Sequence, residues 1–246
     1  MQKLKGVRSM EIIGHRGAAG TCPENTMVSF QRAIEEGASG IELDVHLSQD
    51  GEIIVIHDET VDRTTDGKGY IGELTYKDIR KLNAKYKFKE HNKCMVPSLP
   101  EVFEWAKEET FFINIELKNN VIEYPLLEWK VIDLVHQYGL KDRIVFSSFN
   151  HNSLARVLSY DSRFETAVLY SHKLFEPWHY AKHLGSDGLH PNSRNVTEVV
   201  VKAAHKEGLK VRPYTVNKKE EMLEMKKAGC DAIVTDYPKR AIELLK

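Results

Sequence analysis

Three cysteines in 246 residues, Cys22, Cys94 and Cys230, are too few and too scattered for a disulfide framework or a zinc cluster. They fit a reducing compartment, each as a small buried hydrophobe, and the protein reads as cytoplasmic. No apolar run approaches the length of a membrane-spanning helix, and the opening "MQKLKGVRSMEIIGHRG" lacks the apolar stretch of a signal peptide. Residues 1–9 read as a short tail, with Met10 a second candidate start. Charge of one sign is also missing. A net charge of −1 gives no electrostatic case for nucleic acid or an anionic membrane, so an anionic ligand would have to be met by local cations. No Gly-x-Gly-x-x-Gly turn follows the first strand pattern, which disfavours a doubly wound nucleotide-binding sheet.

What the chain does have is alternation. Strand patterns at 11–14, 40–45, 52–57, 111–117, 143–149, 165–171, 188–191, 210–215 and 231–236 alternate with amphipathic helical patterns. Several of the helices end at glycine, where a left-handed residue can close the last turn. Strand–helix–strand repetition at this length predicts a (β/α)8 TIM barrel formed by one domain over residues 10–246. Nine strands exceed eight places. "SQDGE" is too short for a parallel crossover, and Asp-Gly is a hairpin turn, so residues 45–57 are predicted to form an antiparallel hairpin rising from the second strand. The hairpin would return His57 to the level of Asp44. Residues 58–97 then read as a long loop over the C-terminal mouth, with one short helix at 76–82.

Functional groups of such a barrel collect at the C-terminal ends of its strands. "GIELDV" sets Glu42 and Asp44 on one face and apolar residues on the other, because side chains alternate along a strand. "INIELK" does the same with Asn114, Glu116 and Lys118. His15 and Arg16 stand at the end of the first strand. Three converging carboxylates repel one another unless a cation or shared protons neutralise them, and a hard divalent ion, Mg²⁺ or Ca²⁺, suits oxygen ligands. Arg16 and Lys118 beside it suggest an anionic substrate, and two histidines suggest proton transfer. Together these groups describe phosphoryl transfer. His46 shares the face of the acids but lies farther along the hairpin and reads as structural. Glu24 and Asn25 read as capping residues of the helix that follows, with Asn25 a second candidate for substrate contact. Asn114 reads as an orienter of the acidic ligands.

The blocks "GHRGAAGTCPENT", "GIELDVHLSQDGEIIVIHD" and "INIELK" resemble, in order and spacing, those of the glycerophosphodiester phosphodiesterase family. The similarity extends over residues 11–246 through "SSF", "GLHP", "TVN" and "AIVTDYP". One departure is Tyr214, where many relatives carry Trp. The resemblance implies a barrel related to phosphoinositide-specific phospholipases C and hydrolysis of small-molecule glycerophosphodiesters to sn-glycerol 3-phosphate and an alcohol. It further implies Glu42, Asp44 and Glu116 as ligands of one divalent cation, His15 and His57 as the acid/base pair, and Arg16 and Lys118 as phosphate contacts. Activity on lysophospholipids or other lipid phosphodiesters, or phosphodiester binding without catalysis, are the alternatives.

Overall fold

The structure, a computed structural model, describes residues 10–246; the tail expected at residues 1–9 lies outside the described residues. Strands β1 (Glu11–Gly14), β2 (Gly40–Leu47), β4 (Phe112–Leu117), β5 (Ile144–Ser148), β6 (Glu165–Tyr170), β7 (Gly188–Pro191), β8 (Lys210–Val211) and β9 (Ala232–Thr235) form the barrel wall. They run parallel in the order β8-β7-β6-β5-β4-β2-β1-β9. The ring closes between β8 and β9 through backbone bonds from Asp231 to Val211 (3.0 Å), Val234 to Pro213 (2.9 Å) and Val216 to Val234 (2.9 Å). Helices α1 (Met27–Glu35), α3 (Leu99–Ala106), α4 (Leu127–Gln137), α5 (His151–Tyr160), α6 (Pro177–Leu184), α7 (Glu198–Lys206) and α8 (Lys219–Ala228) connect these strands, and α9 (Pro238–Leu245) follows the last of them. Among the described residues, no helix is long and apolar enough to cross a membrane.

The helices bury one apolar stripe each against the outward residues of the strands. Phe30, Phe103, Met222, Ile41, Leu43, Ile113 and Ile115 are fully or nearly fully buried in this layer, with Trp105 and Leu134 packed on it. The barrel interior holds less apolar bulk, centred on Ile13, Ala232 and Val234. That division frees the inward positions nearest the C-terminal end for charge.

The surplus strand is the expected hairpin: β3 (Ile53–Val55) pairs antiparallel with β2, Val45 opposite Val55 and Leu47 opposite Ile53. Gly51, with φ of 80°, supplies the turn. After β3, residues 58–97 pack on a small core of their own, formed by Ile54, Ile56, Val61, Ile71, Ile79, Ala84 and Val96. The short helix here, α2 (Tyr76–Ile79), is one turn rather than the expected 76–82. The strand expected at 210–215 shrinks to two ladder residues, because Pro213 has no N–H to give the ladder.

Candidate active site

Parallel pairing of β2 with β4 sets Asp44 opposite Glu116 and Glu42 opposite Asn114. All point inward, so oxygens of Glu42, Asp44 and Glu116 lie within 4.8 Å of one another in nearly complete burial. Burial, reinforced by the charges of Asp44 and Glu116, pushes the Glu42 carboxyl well above its usual range. Burial likewise carries Glu116 up to about 7, against the pull of Lys118. Asp44 goes the other way: burial raises it, but His57, Lys118, Arg16 and the Asn25 amide outweigh burial and hold it below the usual carboxylate range.

Asp44 Oδ2 accepts from Asn25 Nδ2 at 2.8 Å, whereas its buried Oδ1 has no hydrogen-bond partner among the described residues. A buried carboxylate oxygen without a donor is costly. Hard oxygen donors, mutual repulsion and an orphaned oxygen fit a divalent cation of the Mg²⁺ or Ca²⁺ type.

The cations come from the same strand ends. After β1 the chain turns sharply through Arg16 (φ 51°) and Gly17 (φ 83°). A Cβ on Gly17 would meet the Ser29 backbone at 2.5 Å, so only glycine fits here. The turn aims the Arg16 backbone N–H at Glu42 Oε2 (2.9 Å) and brings Arg16 Nε to 3.5 Å from Asp44 Oδ2. Lys118 Nζ donates to Glu116 Oε1 at 2.9 Å and lies 3.8 Å from Asp44 Oδ1.

Both candidate acid/base histidines reach this mouth, and each is braced by a carboxylate. His15 Nδ1 is bonded to Asp236 Oδ1 at 2.6 Å, and Asp236 Oδ2 accepts from Asn217 Nδ2 at 2.6 Å. His15 lines a cavity together with Glu42, Asn114, Glu116, His190 and Tyr214. The hairpin returns His57 as expected: Ile56 N–H donates to the Asp44 carbonyl at 3.1 Å, and His57 Nδ1 pairs with Asp58 Oδ1 at 2.6 Å. A carboxylate on Nδ1 holds the proton there in the neutral ring and leaves Nε2 for chemistry.

Sequence reasoning missed the braces. Glu24 is not a helix cap. Thr26 caps α1, accepting from Ser29 N–H at 3.3 Å, while Glu24 Oε1 accepts from Arg16 Nη1 at 2.6 Å. Asn25, expected as a cap, holds Asp44 instead. Arg63 joins the halves of the site, donating to both oxygens of Asp58 (2.7 and 2.9 Å) and both of Glu24 (2.8 Å each). One guanidinium thus grips the carboxylate behind His57 and the carboxylate behind Arg16. The only sequence signal was "HDETVDR", with Asp and Arg close to the histidine. His46 is structural, as read: it is buried between the Tyr124 hydroxyl (3.1 Å) and the His57 carbonyl (3.0 Å), and burial pushes its imidazole down to about 4.

With this geometry in hand, residues 15–240 match the model of the glycerophosphoryl diester phosphodiesterase family. The chain is 44% identical over 236 residues to a glycerophosphodiester phosphodiesterase of Caldanaerobacter subterraneus subsp. tengcongensis, covering 96% of this chain and 97% of that one. It is 40% identical over 238 residues to a glycerophosphodiester phosphodiesterase of Bacillus altitudinis, covering 95% and 97%. An Oleispira antarctica phosphodiesterase, solved in complex with the product sn-glycerol-3-phosphate, shares the fold with a TM-score of 0.88, at 28% identity and 96% coverage of both chains.

Proposed function

Because the chain belongs to the glycerophosphoryl diester phosphodiesterase family and is a glycerophosphodiester phosphodiesterase, we propose that it releases sn-glycerol 3-phosphate from small glycerophosphodiesters in a divalent-metal-dependent reaction with a histidine acid/base pair. The observation that carries this reading is the buried carboxylate triad lying between two cations and two carboxylate-braced imidazoles. Glu42, Asp44 and Glu116 would hold the ion, which supplies positive charge to a phosphate oxygen when bound. Arg16 and Lys118 neutralise the other phosphate oxygens and orient the diester. His15 and His57 divide the remaining work: one Nε2 takes the proton of the attacking oxygen, that of water or of the neighbouring glycerol hydroxyl (the latter giving a cyclic phosphate that water then opens), and the other gives a proton to the alcohol oxygen as its bond to phosphorus breaks. Binding alone would need no such pair. The product complex of the Oleispira relative supports the same product for this chain. We take residues 10–246 as one catalytic domain and place it in the cytoplasm, a setting supported by three free, buried cysteines.

The test is release of sn-glycerol 3-phosphate from glycerophosphocholine by purified protein with Mg²⁺, with Ca²⁺ and with EDTA. Release that depends on either ion is expected; a full rate in EDTA would overturn the metal role.

Arg63 yields a second prediction. Its removal loosens Asp58, and so His57, together with Glu24, and so Arg16. Arg63→Met is therefore expected to lower kcat and raise KM together, each by about tenfold, the lower range for outer-sphere changes at such sites. Steady-state kinetics decide this, and an unchanged KM would break the link to Arg16.

A further inference from the structure

We propose that the face carrying the catalytic mouth docks on an anionic phospholipid bilayer, setting the site against the membrane without spanning it. The first observation is where large hydrophobic side chains stay exposed. Of the twelve that do so among the described residues, ten lie on segments leading from the end of a strand to the next barrel helix, or in that helix's first turn; Tyr160 and Leu223 are the exceptions. Single exposed hydrophobics need no explanation, but a gathering of them at one end marks a contact surface.

Two loops dominate this end. Phe175, 90% exposed, and Leu174, 41% exposed, tip residues 171–176 after β6. Four places round the closed ring from β6 stands β1, and on that side residues 85–95 expose Tyr86 and Met95. The Arg63 guanidinium, which grips Asp58 and Glu24 at the site, lies 5.8 Å from the Tyr86 ring, so this loop too stands at the mouth. The two apolar tips thus flank the mouth from opposite sides, and a plane resting on both would lie across the site.

Charge selects the occupant. Residues 85–95 carry four lysines, Lys85, Lys87, Lys89 and Lys93, against one acid, Glu90. None of the four is paired with a carboxylate among the described residues; Lys93 Nζ donates to the Lys81 carbonyl instead, at 2.7 Å. Lys87 Nζ lies 5.6 Å from the Tyr86 ring and 5.4 Å from the Phe88 ring. Alternating rings and ammonium groups suit a headgroup layer, which takes the rings at its boundary and the cations on its phosphates. Across the mouth Lys173 and Arg194 are exposed and likewise free of carboxylates among the described residues. Their loops are tied by Asn195 Nδ2 donating to the Ser171 carbonyl at 3.0 Å. The net charge of −1 averages over this local excess. A second copy docked by the same face would bring like charges together, whereas anionic lipid complements them. A last argument rests on the glycerophosphodiester reading. Such a diester is a glycerophospholipid whose acyl esters have been hydrolysed, so ester hydrolysis at a membrane is the reaction that supplies it.

The test is co-sedimentation of the full chain, without substrate and in EDTA, with vesicles of phosphatidylcholine alone or mixed with phosphatidylglycerol. Turnover plays no part in this readout, so it decides the proposal even if the chain proves inactive on glycerophosphodiesters. Binding to the mixed vesicles that weakens as salt is added is expected. Lys87→Gln and Lys89→Gln should each weaken it by roughly fivefold. Phe175→Ser should weaken it by roughly tenfold, the cost of losing one buried ring. All three variants should leave kcat/KM on dissolved glycerophosphocholine unchanged. Absence of binding to the mixed vesicles, or binding that these variants do not alter, would overturn the proposal. So would loss of activity on dissolved substrate in Phe175→Ser, which would put the loop in the site, or a dimer that the same variant dissociates, since a second copy would then cover the face.

Discussion

On the acid/base role proposed for it, His57→Ala is expected to lower turnover by about 10²- to 10⁴-fold, the range for loss of a general acid or base, while a divalent ion still binds at the carboxylate triad. The separation follows from where His57 sits. It is not one of the three convergent carboxylates, and its side chain is held from behind by Asp58 rather than by any of them. Removing the imidazole leaves Glu42, Asp44, Glu116, Arg16 and Lys118 in place, so substrate binding should survive better than turnover. Calorimetric metal titration beside steady-state kinetics checks both halves. Turnover within a few-fold of the parent would remove His57 from the acid/base pair. Loss of metal binding together with turnover would show instead that the hairpin end supports the triad.

Asp44→Asn should have the opposite signature, with metal affinity and turnover falling together by at least about 10²-fold, beyond what outer-sphere substitutions at metal sites usually cost. Asp44 is fully buried and is held below the usual carboxylate range, so it is the acid most firmly charged before any ion arrives. The amide removes that charge and can place an N–H₂ against Arg16, Lys118 or Asn25, all of which already donate or lie close. Metal-dependent activity near the parental rate would exclude Asp44 as a ligand. The same site sets a pH dependence. Glu116 is carried up to about 7 and Glu42 is raised as well, so below that pH a metal must displace protons to bind. Affinity should therefore rise with pH through neutrality as both carboxyls give up their protons, and titration at several pH values would reveal a flat profile if protons do not compete.

The barrel was legible because its elements are written locally, in alternating strand runs, amphipathic helices and the Asp50-Gly51 turn that separates the hairpin from the wall. The triad was legible for the same reason, since Glu42 and Asp44 share one strand face and Glu116 and Lys118 another. The elements that differ were decided by neighbours or by a single backbone group, as where Pro213 ends β8 early. The braces were invisible for a related reason. His15 and Asp236 stand 221 residues apart, and only closure of β9 against β1 brings them together. Glu24 and Asn25 precede a helix and so carry the local signature of caps, yet tertiary partners claim both. A periodicity can place a charge on a face; it cannot say which distant group will hold it there.

The small core beneath residues 58–97 has a bearing on how the enzyme would fail. Ile54 and Ile56 belong to it rather than to the larger layer between helices and barrel, and His57 is the next residue in the chain. Arg63 and Asp58, which hold that imidazole, ride on the same segment. Local opening draws on the free energy of the unit that opens, and a small cluster stores less than the main core. The machine therefore carries a fuse: this segment can come loose and take His57 and the Arg63 grip with it, while the eight-stranded wall, the triad and His15 stay assembled.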